Sequence, residues 1–151
     1  MSTKTEDDGT GKKAVRSLAI TAELGGAVDM TGVDKDQPFF VGIHLDTFRD
    51  SFINGMLSYR YIMVSDSRHD IVVSPFVGGN VSLLRLGVGL GPGVVITATP
   101  NNTAIRFAVV PGALAEIGLI SRFVVGVLGQ YHIVVNADDF LTLGMRIGVT
   151  F

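Results

Sequence analysis

Residues 140–151, FLTLGMRIGVTF, alternate without a break. Leu141, Leu143, Met145, Ile147, Val149 and Phe151 fall on one face, and Thr142, Gly144, Arg146, Gly148 and Thr150 on the other. A period of two belongs to a β-strand, whose successive side chains point to opposite sides. The pattern recurs along the chain. In 16–28, Leu18, Ile20, Ala22 and Leu24 oppose Ser17, Ala19, Thr21 and Glu23; in 39–48, Val41, Ile43 and Leu45 oppose Gly42, His44 and Asp46. In 55–64, Leu57, Tyr59, Tyr61 and Met63 oppose Ser58 and Arg60. The segment 71–77 shows no clean alternation and contains Pro75, which cannot donate to a ladder. From residue 83 the alternation sharpens through 84–97, 105–118 and 123–135. Polar or turn-forming runs separate the segments: TGVDKDQP, RDSFIN, SDSRHD, TPNN, Ser121 with Arg122, and NADD. No comparable window holds a helical period.

The expectation is an all-β chain of eight antiparallel strands of roughly nine to fifteen residues, where soluble strands average about five or six and a tilted transmembrane strand needs about nine to eleven. Eight long strands with short connections leave two open edges unless the sheet closes, and in lipid closure is compulsory. An even count suits an eight-stranded up-and-down barrel with both termini at one rim. One face carries Leu, Ile, Val, Phe and Tyr. The other carries Gly, Ala, Ser and Thr with Glu23, His44, Asp46, Arg60, Arg85, Arg106, Glu116, His132 and Arg146.

Composition bears on which face is outside. Hydrophobic residues make up 47%, charged residues only 17%, and mean hydropathy is +0.44. The polar face is too poor in lysine for an ordinary water-facing surface. We therefore read the barrel as inverted, with the apolar face toward lipid and the charged residues in a lumen narrow enough for side chains to fill. Arginines and carboxylates would there satisfy one another, with glycines giving them room. No run reaches the length of a transmembrane helix. Residues 1–14 read as a flexible polar leader and 15–151 as one barrel domain. The leader lacks the apolar core of a secretory signal, so an exported protein is expected to be a mature form with its signal removed. A formal charge of -2 and the lack of a basic stretch argue against nucleic acid, and the absence of cysteine excludes thiolate chemistry and Cys-based zinc sites.

The closing stretch resembles the C-terminal strand of Gram-negative outer-membrane β-barrel proteins. In that family a terminal aromatic ends alternate apolar positions read by the barrel-insertion machinery; Phe151, Val149, Ile147, Met145 and Leu143 match it. VVPGALAEIGLISRFVVGVLGQYHI, residues 109–133, is similar to the paired penultimate strands of small outer-membrane barrels. The resemblance covers 83–151, and 16–80 by pattern only. The chain departs from the family in having no Trp and only short connections. The resemblance implies an outer-membrane location, a bilayer or detergent environment, and periplasmic termini. Outward connections would lie near 29–38, 65–70, 98–102 and 136–139, and periplasmic turns near 49–54, 78–82 and 119–122.

Candidate chemistry is sparse. His44, Asp46 and His132 could hold a divalent ion if brought together, but lumen filling is the simpler reading. His69 and Asp70 read as solvated turn residues. Ser58, Ser74, Ser82 and Ser121 with the three histidines give no clear nucleophile and base, and LGVGLGPGVV lacks the spacing and lysine of a phosphate loop. No cofactor, metal or catalytic residue is expected. The functional expectation is an integral barrel with a structural or interaction role and no large pore. The alternatives are a soluble β-barrel or sandwich binding a small apolar ligand, a lipid-modifying outer-membrane enzyme, and a smaller sheet completed by oligomerisation.

Overall fold

A computed structural model describes residues 18–30, 38–49, 51–64, 67–119 and 122–151. The leader, the start of the first predicted strand and most of the connection 29–38 lie outside them. Eight strands follow in order: β1 (Leu18–Asp29), β2 (Phe39–Thr47), β3 (Ile53–Ile62), β4 (Ser67–Val81), β5 (Leu84–Thr99), β6 (Asn102–Leu119), β7 (Phe123–Val134) and β8 (Phe140–Thr150). Each pairs antiparallel with the next, and β1 pairs with β8 to close the barrel. We call the end carrying the β1 start and the β8 end the terminal rim, and the opposite end the far rim.

The faces divide as alternation predicts. Leu143, Met145 and Ile147 on β8 are 61%, 66% and 59% exposed, whereas Arg146 between them is 1% exposed. Arg60, Arg146, Glu116, His44 and His132 are among the largest fully buried side chains. The inside of this barrel is charged and the outside is greasy. Exposed Phe48, Phe52, Phe123 and Phe151 ring the terminal rim, and Phe39, Phe107, Tyr61 and Tyr131 lie toward the far rim. These are the positions of the aromatic girdles of a transmembrane barrel, supplied without tryptophan.

The middle of the chain corrects the expected boundaries. β4 has 15 residues where alternation suggested only 71–77, and it absorbs most of the predicted connections 65–70 and 78–82. Its period of two is present but concealed: Asp70, Val72, Ser74 and Phe76 point inward, and Ile71, Val73, Pro75 and Val77 outward. Because Val72 and Phe76 are lumen side chains, both faces are partly apolar. Pro75 and Pro92 sit where the β4–β5 ladder is interrupted between Val72↔Gly93 and Phe76↔Gly89, with the register unchanged. Pro111 sits in a similar gap between Val109↔Ile133 and Gly112↔Gln130. Each missing N–H thus falls where one neighbouring ladder is already open. Phe48, Ser82 and Asn136 take the left-handed conformation at three of the reversals.

Candidate functional site

The lumen holds two separate polar networks. The central one is built on Arg60, from β3. Its Nε donates to Glu23 Oε2 at 2.7 Å, its Nη1 to Asp70 Oδ2 at 3.1 Å, and its Nη2 to Gln130 Oε1. Four strands are thereby tied across the bore. His44 Nε2 lies 2.7 Å from Glu23 Oε2 and Nδ1 lies 2.8 Å from Ser58 Oγ. An ionised carboxylate can only accept, so Nε2 carries the proton and Nδ1 accepts from the serine hydroxyl. His132 stacks on Phe140 with centroids 4.2 Å apart and bonds Thr142 at 3.3 Å. Its Nδ1 faces Asp70 Oδ1 at 3.5 Å.

The second network lies toward the terminal rim. Arg146 Nη2 donates to Asp46 Oδ2 and to Thr21 Oγ1, each at 2.5 Å. Arg49 bridges Asp46, at 3.4 Å, and Glu116. Arg85 donates to Asn54 at 2.8 Å and lies 3.7 Å from Glu116. Among the described residues the four buried arginines, Arg49, Arg60, Arg85 and Arg146, are matched by four buried acids, Glu23, Asp46, Asp70 and Glu116. The central network has two carboxylates on one arginine, and the terminal one has three arginines on two carboxylates.

Two apolar clusters complete the filling. Met56, Phe76, Leu114 and Leu128 form one. The larger, which includes Phe40, Ile62, Val72, Val95, Val110 and Phe140, fills the far half. Phe40 lies 5.5 Å from the Arg60 guanidinium, so charge and apolar filling are in direct contact. The glycines provide space rather than unusual backbone: among the described residues none has a positive φ. A Cβ on Gly144 would lie 2.5 Å from Glu23 Oε1, and one on Gly42 would lie 3.0 Å from Arg60 Cγ. On β5 the equivalent room goes to Phe76, whose ring would be 2.8 Å from a Cβ on Gly89.

Of the nine residues predicted for the lumen, Glu23, His44, Arg60 and His132 join the central network and Asp46, Arg85, Glu116 and Arg146 the terminal one. Arg106 is in the inward phase but stands half-buried near the far rim, and forms no ion pair among the described residues. Asp70, Arg49 and Gln130 contribute to the networks without having been expected there. Asp70, expected in a solvated turn, is fully buried on Arg60. His69, expected beside it, is on β4 and bonds Tyr59 OH at 2.8 Å. Arg49 is out of phase with β2, but the left-handed Phe48 precedes it and its side chain reaches back to Asp46. Gln130 is neutral and gave no charge signal.

His44 and Asp46 belong to different networks and His132 contacts neither, so these three residues, which could have held an ion only if brought together, are not assembled; no group of three or more possible metal ligands occurs among the described residues. Ser58, His44 and Glu23 have the connectivity of a hydrolytic triad. Ser58 is 0% exposed, however, and Glu23 is shared with Arg60, so this chain of bonds fills the lumen without offering a nucleophile to substrate. Ser67 bonds Tyr61 at 3.4 Å, and His69 bonds Tyr59 instead of that serine.

The predicted insertion strand is β8. Leu143, Met145, Ile147 and Phe151 are exposed on its outward face and Val149 is half-buried there.

No protein-family model matches the chain, and no curated protein matches it. Solved structures do. The N-terminal β-barrel domain of Pseudomonas aeruginosa OprF superposes with a TM-score of 0.65 at 12% identity, covering 88% of this chain and 97% of that one. Neisserial surface protein A gives 0.62 at 13% identity, covering 89% and 96%. Ail, the attachment invasion locus protein of Yersinia pestis, gives 0.59 at 13% identity, covering 89% and 97%. Superposing over nearly the whole length of each of these structures, the chain has the fold of the small Gram-negative outer-membrane β-barrel proteins.

Proposed function

We propose that the protein is an integral outer-membrane β-barrel serving as a structural or interaction module, without a large open pore. The inverted distribution of polarity carries this reading. A continuous apolar exterior flanked by aromatic rims suits lipid, and arginines paired with carboxylates inside suit a bore closed to water. The names of the similar proteins, a surface protein and an attachment protein among them, favour a role at the cell surface. On this reading the termini are periplasmic. Leu143, Met145, Ile147, Val149 and Phe151 then present the insertion signal to the assembly machinery.

The test is refolding in detergent and in lipid vesicles, followed by electrophoresis of unboiled and boiled samples. Heat-modifiable migration with β circular dichroism is expected. Folding to a compact monomer in plain buffer would overturn the membrane reading. In planar bilayers the expected conductance is negligible, and a large steady conductance would refute the closed bore. Deleting Phe151 should slow assembly in cells while leaving detergent refolding unchanged; equal slowing in both would remove the signal role.

A further inference from the structure

At the far mouth lies a cup of about 170 Å³, lined by Arg68, Val95, Thr97, Arg106, Asp138 and Phe140. Its floor is the apolar cluster that fills the far half of the lumen, of which Val95 and Phe140 are members. Three of its polar side chains come from adjacent strands. Arg68 on β4 is the register partner of Thr97 on β5, and Arg106 on β6 is the partner of Val95, two residues before Thr97. All three are in the inward phase, so two guanidiniums and a hydroxyl converge on one small space.

These arginines differ from the four deeper ones. Neither forms an ion pair among the described residues. Arg68 stacks over Phe140 with 5.1 Å from its guanidinium carbon to the ring centre, and its Nε is buried without a hydrogen-bond partner. Stacking engages the face of a guanidinium and leaves its in-plane donors for an acceptor. Two like charges that flank β5 from either side repel, and an anion between them relieves that repulsion. Among the described residues that line the cup the acid is Asp138, exposed in the β7–β8 connection at its lip, while Asp70 lies two residues beyond Arg68 along β4 on the same inward face, bound to Arg60.

We propose that this cup binds a tetrahedral oxyanion, a phosphate or sulfate group, between Arg68 and Arg106 with Thr97 as a further donor. A cup of about 170 Å³ open toward the mouth admits such a group and a short attached stem. The same chemistry could be offered by a free solute or by a phospholipid headgroup bent over the rim, and the two sources are separable.

The full chain, refolded in a maltoside detergent in phosphate-free buffer, would be titrated with inorganic phosphate, with sulfate, and with phosphatidic acid in mixed micelles. Amide shifts of Thr97 and Ala137 and the heat of binding are the readouts. The expected result is saturable binding at one site, weakened about tenfold by Arg68→Gln and by Arg106→Gln and strengthened several-fold by Asp138→Asn. A response to inorganic phosphate or sulfate identifies a solute site, and a response to phosphatidic acid alone identifies a headgroup site. No saturable response to any of the three, or one unchanged in the arginine variants, would overturn the proposal. Folding of each variant is checked by unboiled gel mobility. If Arg68→Gln does not fold, Arg106→Gln and Asp138→Asn decide the matter.

Discussion

The two halves of the lumen are filled in different proportions, the terminal half and centre by ion pairs around the small cluster of Met56, Phe76, Leu114 and Leu128, and the far half by apolar side chains up to the arginines at its mouth. Toward the terminal rim and the centre, arginines and carboxylates from facing walls hold one another. In the far half, valines, isoleucine and phenylalanines close the bore as they would close a soluble core. Both halves sit behind the same exterior of leucine, valine and isoleucine. The exterior therefore does not dictate what the interior must be, only that it be full and satisfied. The ionic half depends on particular partners at particular depths, whereas the apolar half depends on volume. Substitutions should separate the two.

The largest effect is expected at Arg60, the one arginine shared by Glu23, Asp70 and Gln130. Arg60→Ala strands Asp70 and leaves Glu23 with His44 as its partner; it should destabilise the barrel by about 3–5 kcal/mol, read as a lower unfolding midpoint in denaturant. A midpoint within error of the parent would break the idea that the ionic half depends on its pairs. Next is Gly144→Ala, whose Cβ would meet Glu23 Oε1 at 2.5 Å. Displacing Glu23 disturbs both Arg60 and His44, and about 1–3 kcal/mol is expected. Combining it with Arg60→Ala should give less than the sum, because the two share Glu23. In the apolar half, Ile62→Val removes one methylene from a fully buried side chain and should cost only about 0.5–1.5 kcal/mol. A loss as large as that of Arg60→Ala would erase the contrast between the halves. The smallest effect is expected at Arg106→Ala, which lies half-buried at the mouth and should stay within about 0.5 kcal/mol of the parent.

That last case shows what alternation conveys and what it does not. The period of two put Arg106 and Glu116 on the inner face correctly, yet they are ten residues apart on one strand, roughly 33 Å at about 3.3 Å per residue. Face is a local property of the sequence. Depth within the bore, and hence the partner, comes from the register of strands that meet only after closure. Glu23 finds Arg60 because β2 sets Gly42 between them in register, and no local pattern encodes that. β8 was legible because its two faces differ so plainly in chemistry. β4 was obscured where the lumen accepts Val72 and Phe76, and Asp70 was lost with the strand that carries it. Arg49 was hidden for a different reason: the left-handed Phe48 ends the alternation one residue earlier.

The claim on which these readings rest is that the greasy face meets lipid and the charged face points into the lumen. The chain has no cysteine, so single thiols can be placed without background. Ile147→Cys and Thr142→Cys would be folded into lipid vesicles and exposed in turn to a membrane-impermeant maleimide and a bilayer-soluble one. The account predicts that Ile147→Cys reacts with the bilayer-soluble reagent alone and that Thr142→Cys resists both until the barrel is unfolded. Ready labelling of folded Ile147→Cys by the impermeant reagent would contradict it.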